Sequence, residues 1–217
     1  HAQRGLRHSL VERLQAAGYA TAAFTEGAYV SRAFGMDHGF ESFVESESRI
    51  RLKEAGESDE ADRAGEIAGR GGIGHTVDLA IAWLRENGDR PFFLLVHSYE
   101  PHLPYRRRDF AEGLEAGSLG PSYEVAHARA VHEGRLAVGP LERDYVRALY
   151  DGGVLESDRQ LGRLLDTLEV LGLAGRTVVA LTSDHGEDMG ERDLRGLGRH
   201  QHQLHDDLLH VPLVLHD

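Results

Sequence analysis

Residues 177–188 read TVVALTSDHGED: a β-branched, uninterrupted apolar run that turns abruptly polar at Thr182. An apolar run of this length without alternation reads as a strand covered on both faces. The same pattern stands at 19–24, which runs into Thr25 and Glu26, and at 92–96, which Pro91 introduces and His97 follows. A further run occupies 211–215. Between the runs, apolar residues fall at helical spacing: Leu10, Leu14 and Ala17, then Val77, Ala80, Ile81 and Leu84. The longest such stretch opens at Pro140, with Leu141, Tyr145, Leu149, Leu155, Leu161, Leu165 and Leu168 near one stripe. A short helical candidate at 204–209 precedes the last strand. Helices alternating with buried strands predict one α/β domain with a largely parallel central sheet and helices on both faces. The ligand site of such a sheet lies beyond the carboxyl ends of its strands, where the three apolar-to-polar switches would converge.

Local signals refine this outline. Ser9 followed by Glu12 has capping-box spacing and Gly18 supplies a left-handed stop, which predicts a helix over 9–17. From about 45 to 74, charges and glycines without a lasting period predict an irregular excursion, and 106–139 reads as a long loop. Gly152 and Gly153 inside the long helix each cost roughly 1 kcal/mol relative to alanine, which points to close packing or a bend. Asp158, between Val154 and Leu161 on the apolar stripe, reads as a buried structural carboxylate bonded to backbone.

Composition narrows the function classes. With 36 acidic against 24 basic residues, a net charge of −12 argues against a surface that grips nucleic acid or anionic membrane. No apolar run approaches the roughly 18 residues of a membrane span, and nothing at the start reads as a signal peptide. The absence of cysteine excludes disulfides, zinc–thiolate sites and a thiol nucleophile within these residues. Of the 14 histidines, His185, His200, His202, His205, His210 and His216 crowd the end of the chain and invite a metal or acid–base reading.

Three constellations carry candidate chemistry. TSDHGED places the Asp184 carboxylate beside the His185 imidazole directly after a strand, with Gly186 allowing a tight turn. Such a pair chelates a divalent cation, although an isolated Asp-His dipeptide also reads as a cap and a surface histidine. HSYEPHLPY, residues 97–105, holds His102 between Pro101 and Pro104, a stiff presentation suited to a ligand or proton donor. RHQHQLHD, residues 199–206, brings His200 and His202 ahead of the last strand, where either faces a site or simply starts a polar helix.

The succession GYATAAF, GMDHGFESF, PFFLLVHSYEPHLPY, YDGGVLESDRQLGRLLDTLEVLGL, TVVALTSDHGED and HDDLLHVPLVL resembles the sulfatase family, part of the alkaline-phosphatase-like superfamily. The resemblance covers most of the chain, and the TSDHGE and PHxPY blocks are its most diagnostic parts. It implies a truncated alkaline-phosphatase-like fold and a sulfuric ester hydrolase acting on a small sulfate ester. Asp184 matches the family's metal-binding Asp, and His185 stands where relatives carry the neighbouring ligand. His102 matches the histidine that contacts the sulfate or assists the leaving oxygen. His200 is the choice for the residue before the final strand that contacts the transferred group, with His202 close behind.

Departures from the family pattern matter equally. The family's Cys/Ser-x-Pro-x-Arg block, source of the formylglycine nucleophile, is absent from 1–217, as is the N-terminal Asp pair that completes the metal site. Both are expected upstream of His1. The Lys-Trp-His block is replaced by Thr25–Ala28. Calcium is the implied cofactor, with manganese or zinc as alternatives because imidazole suits them better. The chain alone is expected to bind metal weakly and turn over little substrate. The rival expectations are a phosphoester or phosphonate hydrolase or phosphoryl transferase of the same superfamily, and a noncatalytic histidine-rich metal-binding module.

Overall fold

The structure is a computed structural model that describes residues 9–46, 72–200 and 204–217. Most of the excursion expected at 45–74, and His202, lie outside the described residues. The chain divides into two compact units, one comprising His1–Tyr99 and Arg159–Ala174, the other Glu100–Asp158 and Gly175–Asp217.

In the first unit the capping box forms as the spacing predicts. Ser9 Oγ accepts the Glu12 amide at 3.1 Å and the Glu12 carboxylate accepts the Ser9 amide at 2.8 Å, starting α1 (Leu10–Ala16). Gly18, at φ 88°, turns the chain into β1 (Ala20–Thr25). All six residues of β1 are buried, because it is the middle strand of a parallel sheet ordered β2-β1-β3, with β2 at Ser42–Glu45 and β3 at Phe92–Val96. Successive side chains alternate across the sheet. Ala22 and Phe24 pack with Ala80 of α2 (Gly72–Asn87) and with Leu164, while Thr21 and Thr25 point away and bond the carbonyls of Gly39 and Val30. The stripe Ile73, Val77, Ala80, Ile81 and Leu84 buries the inner side of α2. Each large side chain of that stripe contributes about 1.5–3 kcal/mol by leaving water.

β2 escaped the sequence reading because SFVE has four residues, of which only Phe43 is buried. Its partner strand, not its own pattern, defines it.

The second unit is organised around aromatic side chains. Tyr105 and Tyr123 form an antiparallel bridge with both amides bonded at 2.9 Å, and their rings stack at 6.1 Å. Tyr145, Val146, Leu149 and Leu197 are among the buried residues of the same cluster. The stretch expected as a loop over 106–139 carries α3 (Val125–His132). Only Ala128 and Val131 of α3 are buried, so its apolar period is too short to register in sequence. The Glu124 amide donates to His127 Nδ1, and the Glu124 carboxylate takes two bonds from Arg106, at 2.9 and 2.7 Å.

Helix α4 (Pro140–Val170) belongs to the second unit through Asp158 and to the first from Arg159 onward. Its inward line in the second unit runs through Tyr145, Leu149, Gly152 and Gly153. Val154 is exposed, and so is Asp158, which corrects the reading of Asp158 as a buried structural carboxylate. Hydrophobic periodicity assigned the stripe to Val154, whereas the glycines occupy it. At about 100° per residue, Asp158 then falls on the far side.

The apolar runs near the C-terminus differ from expectation in pairing and in burial. β4 (Val179–Thr182) pairs antiparallel with β5 (Leu213–His216) as a separate two-stranded sheet, and Leu213, Val214 and Leu215 are exposed. An uninterrupted apolar run fixes that both faces of a strand are apolar, but it specifies neither the partner nor its direction. Helix α5 (Asp206–Leu209) is a single turn ahead of β5.

Candidate functional site

Two of the three apolar-to-polar switches meet at one sheet edge. The parallel register aligns Phe24 with Val96, the His97 amide donates to the Phe24 carbonyl at 2.9 Å, and beyond it the Glu26 carboxylate accepts the Ser98 hydroxyl and the Tyr99 amide, each at 2.7 Å. Glu26 is buried and tied down by these bonds, so it acts as a clamp on the exit of β3. The third switch follows β4, which pairs with β5 within the second unit.

The histidines of the second unit form a cluster of their own. His102 lies in the loop after β3, between buried Leu103 and the segment that the α4 glycines receive. A Cβ on Gly153 would sit 3.0 Å from the Glu100 carbonyl oxygen, and one on Gly152 would sit 2.7 Å from Arg107 Cβ. The glycine pair therefore serves close approach, one of the two readings that glycines inside a helix offer. Arg107 Nε donates to Glu100 Oε1 at 2.6 Å and closes the loop on itself.

His185 follows β4, just after a bend at Asp184. Gly186 donates its amide to the Leu208 carbonyl and lies so close to the Asp207 carbonyl that any side chain would collide with it. Its requirement is close approach to α5 rather than a left-handed conformation. His185 and Glu187 both reach the histidine cluster, whereas Asp184 turns out, its side chain 82% exposed. His200 arrives by a backbone bridge: Asp188 pairs antiparallel with Arg199, which sets Glu187 opposite His200.

The rings of His185 and His200 stack at 4.2 Å, His102 meets His200 at 4.8 Å, and His102 meets His185 at 6.0 Å. Nδ1 of His102 donates to the Leu103 carbonyl and Nδ1 of His185 to the Gly186 carbonyl, both at 2.7 Å. Glu187 is 5% exposed in its side chain; its Oε2 accepts the Tyr105 hydroxyl at 2.7 Å, and its Oε1 faces His200 Nδ1 at 3.1 Å. That last contact is within bonding distance but misaligned, so it acts chiefly as an ion pair. The Glu187 contact raises the His200 pKa above the ordinary imidazole value, against the opposing effect of partial burial. Burial and the same carboxylate push the Tyr105 phenol well above its ordinary value, so it stays a hydrogen-bond donor.

The structure thus brings together His102, His185 and His200 of the expected residues and leaves Asp184 at the margin, its Oδ1 3.9 Å from His185 Nε2. Glu187 and Tyr105 were missed as site residues. Their roles come from contacts with each other and with His200, which no local pattern announces. A calcium ion takes roughly six to eight oxygen ligands. Three imidazoles and one carboxylate do not make that cage, so these residues do not by themselves fit calcium. As it stands the cluster can hold an anionic group through protonated imidazoles, pass a proton to a leaving oxygen, or bind a cation that accepts nitrogen donors.

Comparison with known proteins gives this arrangement a family. The sequence model of the Sulfatase family matches residues 3–217. Human iduronate 2-sulfatase is 30% identical over 149 residues, covering 58% of this chain and 26% of that protein. The low-salt glycan biosynthesis sulfotransferase Agl7 of Haloferax volcanii is 33% identical over 130 residues, covering 57% of this chain and 26% of that protein. The chain therefore spans about a quarter of the length of these relatives. Among solved structures, the lipoteichoic acid synthase LtaP from Listeria monocytogenes superposes with a TM-score of 0.51 at 17% identity, covering 95% of this chain and 45% of that one, a likeness of fold alone. With the family match running over nearly its whole length, the chain belongs to the sulfatase family.

Proposed function

We propose that the complete protein is a metal-dependent sulfuric ester hydrolase and that residues 1–217 are part of its catalytic domain. The observation that carries this reading is the meeting of His102, His185 and His200 in one cluster, from three separate stretches of sequence. The names of the relatives, iduronate 2-sulfatase among them, support sulfate rather than phosphate as the group handled. In this proposal the formylglycine nucleophile and the remaining metal ligands lie upstream of His1. Asp184 and His185 contribute to the cation site, with calcium the choice if the upstream donors are carboxylates.

The roles of the chain's own side chains follow from their surroundings. His200, with the Glu187 carboxylate behind it, keeps its proton to higher pH than an ordinary imidazole and offers positive charge to the sulfate oxygens. His102, held by two prolines and by the bond from its Nδ1 to the Leu103 carbonyl, keeps Nε2 for the substrate and, as the imidazolium, protonates the leaving oxygen from that nitrogen. The test uses the full-length protein with matched aryl sulfate and aryl phosphate monoesters. Metal-dependent cleavage of the sulfate, abolished by Asp184→Ala, is the expected result. Preference for the phosphate, or full activity in Asp184→Ala, contradicts the proposal.

A further inference from the structure

Tyr123 stands outside the histidine cluster, yet it touches two of the segments that supply it. Its backbone pairs with Tyr105, each amide bonded to the other's carbonyl at 2.9 Å, and Tyr105 is three residues from His102. The two rings stack 18° from parallel. On its other side the Tyr123 hydroxyl donates to the Leu197 carbonyl at 3.1 Å, three residues before His200. Gly198 packs against the same ring. At φ 71° it is left-handed, and a Cβ there would come 2.8 Å from Tyr123 Cε1 and 3.5 Å from both Leu103 and Tyr105. Glycine is thus required twice over, by conformation and by space.

These contacts close a circuit around the cluster. The Gly198 amide donates to the Asp188 carbonyl at 2.7 Å, and the Asp188 amide donates to the Arg199 carbonyl, which sets Glu187 opposite His200. Glu187 takes the Tyr105 hydroxyl, and Tyr105 leads back to Tyr123. The bond from Tyr123 to Leu197 is the joint that ties the His200 segment to the His102 loop. Tyr123 and Leu197 are both 0% exposed, so solvent does not compete for that carbonyl. Burial also pushes the Tyr123 phenol above its ordinary value, which keeps it a donor.

We infer that Tyr123 is a positioning residue, which sets His200 against His102 through the Leu197 carbonyl and Gly198. Its effect on rate rests on the ester-hydrolase reading, whereas its effect on the placement of the two imidazoles does not. Groups that move a proton or meet developing charge lose rate steeply when displaced, about 10²-fold for 1 Å. Loss of one hydroxyl, with the ring still in place, shifts the His200 segment by less than that.

The experiment compares Tyr123→Phe, which keeps the ring and loses the hydroxyl, with Leu149→Ala, which opens the same buried cluster from α4. Both are measured well below their unfolding midpoints. In the 217-residue chain, the imidazole Cε1–Hε1 NMR resonances of His102 and His200, assigned by single substitution to glutamine, are expected to move in Tyr123→Phe and to keep the parent positions in Leu149→Ala. In the complete protein on an aryl sulfate, Tyr123→Phe is expected to lower kcat about 10-fold with KM within about threefold of the parent, and Leu149→Ala to retain kcat. Resonances unmoved in Tyr123→Phe, or moved equally by Leu149→Ala, overturn the assignment. So does a parent-like kcat in Tyr123→Phe or an equal loss in Leu149→Ala. A complete protein that hydrolyses no sulfate ester contradicts the proposed function instead, and the resonances then decide the role of Tyr123 by themselves.

Discussion

The imidazole of His185 lies face to face with that of His200, ring centroids 4.2 Å apart and planes 19° from parallel. Neither neighbouring sequence nor helix periodicity accounts for that contact. It results from two backbone features, the Gly186 amide bonded to the Leu208 carbonyl and the antiparallel bridge from Asp188 to Arg199. The site geometry is therefore held by main chain, and changes to the backbone around it are predicted to matter as much as changes to the histidines.

Gly186→Ala tests this at one atom. The added methyl group runs into the Asp207 carbonyl, and backbone on both sides has to move. The predicted cost is about 1–3 kcal/mol, the range for overpacking a tight contact. For a protein of this size that lowers the thermal midpoint by roughly 2–4 °C per kcal/mol, readable by calorimetry or circular dichroism.

The helix glycines give a matched pair of opposite sign. Gly152→Ala drives a methyl group against Arg107 and is predicted to destabilise by about 1–3 kcal/mol. Gly162→Ala, in the same helix with open space where its Cβ would lie, is predicted to stabilise by roughly 0.5–1 kcal/mol through helix propensity. Thermal unfolding of the two variants side by side checks both signs.

Much of this was legible in the sequence and some was not. The capping box at Ser9, the strand at Phe92–Val96 and the long helix from Pro140 announce themselves because each signal is local. β2 and α3 did not, since four residues with one buried phenylalanine, or eight with two buried positions, hold too little periodicity. The direction of β4 was also hidden, because strand partners are chosen across long stretches of chain. At the site, the blocks around His102 and His185 could be read as motifs, whereas Glu187 is a role conferred by Tyr105 and His200, both remote in sequence.

Glu124 links pH to stability. Burial pushes its carboxyl upward, but the bonds from Arg106 and Ser122 and the charge of Arg106 outweigh this and hold it below the ordinary carboxylate value. A depressed folded pKa stabilises the protein at pH above the unfolded value of about 4.3, and that stabilisation is lost as pH falls through the lower folded value. Glu124→Gln is thus predicted to cost about 1–3 kcal/mol at pH 7, with the difference from the unaltered protein shrinking toward pH 3. Urea denaturation at the two pH values measures it.

Tyr105→Phe removes the hydroxyl that donates to the nearly buried Glu187 carboxylate. Leaving that acceptor short of a partner is predicted to destabilise by about 1–3 kcal/mol, again measurable by urea denaturation. A variant as stable as the parent would show that water replaces the hydroxyl without penalty.

The most direct test of the central claim is kcat/KM of the complete protein on an aryl sulfate after His102→Ala and, separately, His200→Ala. A fall of about 10²- to 10⁴-fold in each, with the folded state retained by circular dichroism, is predicted for groups that transfer a proton or neutralise charge at the ester. Sulfate hydrolysis at the parent rate in either variant would contradict the account.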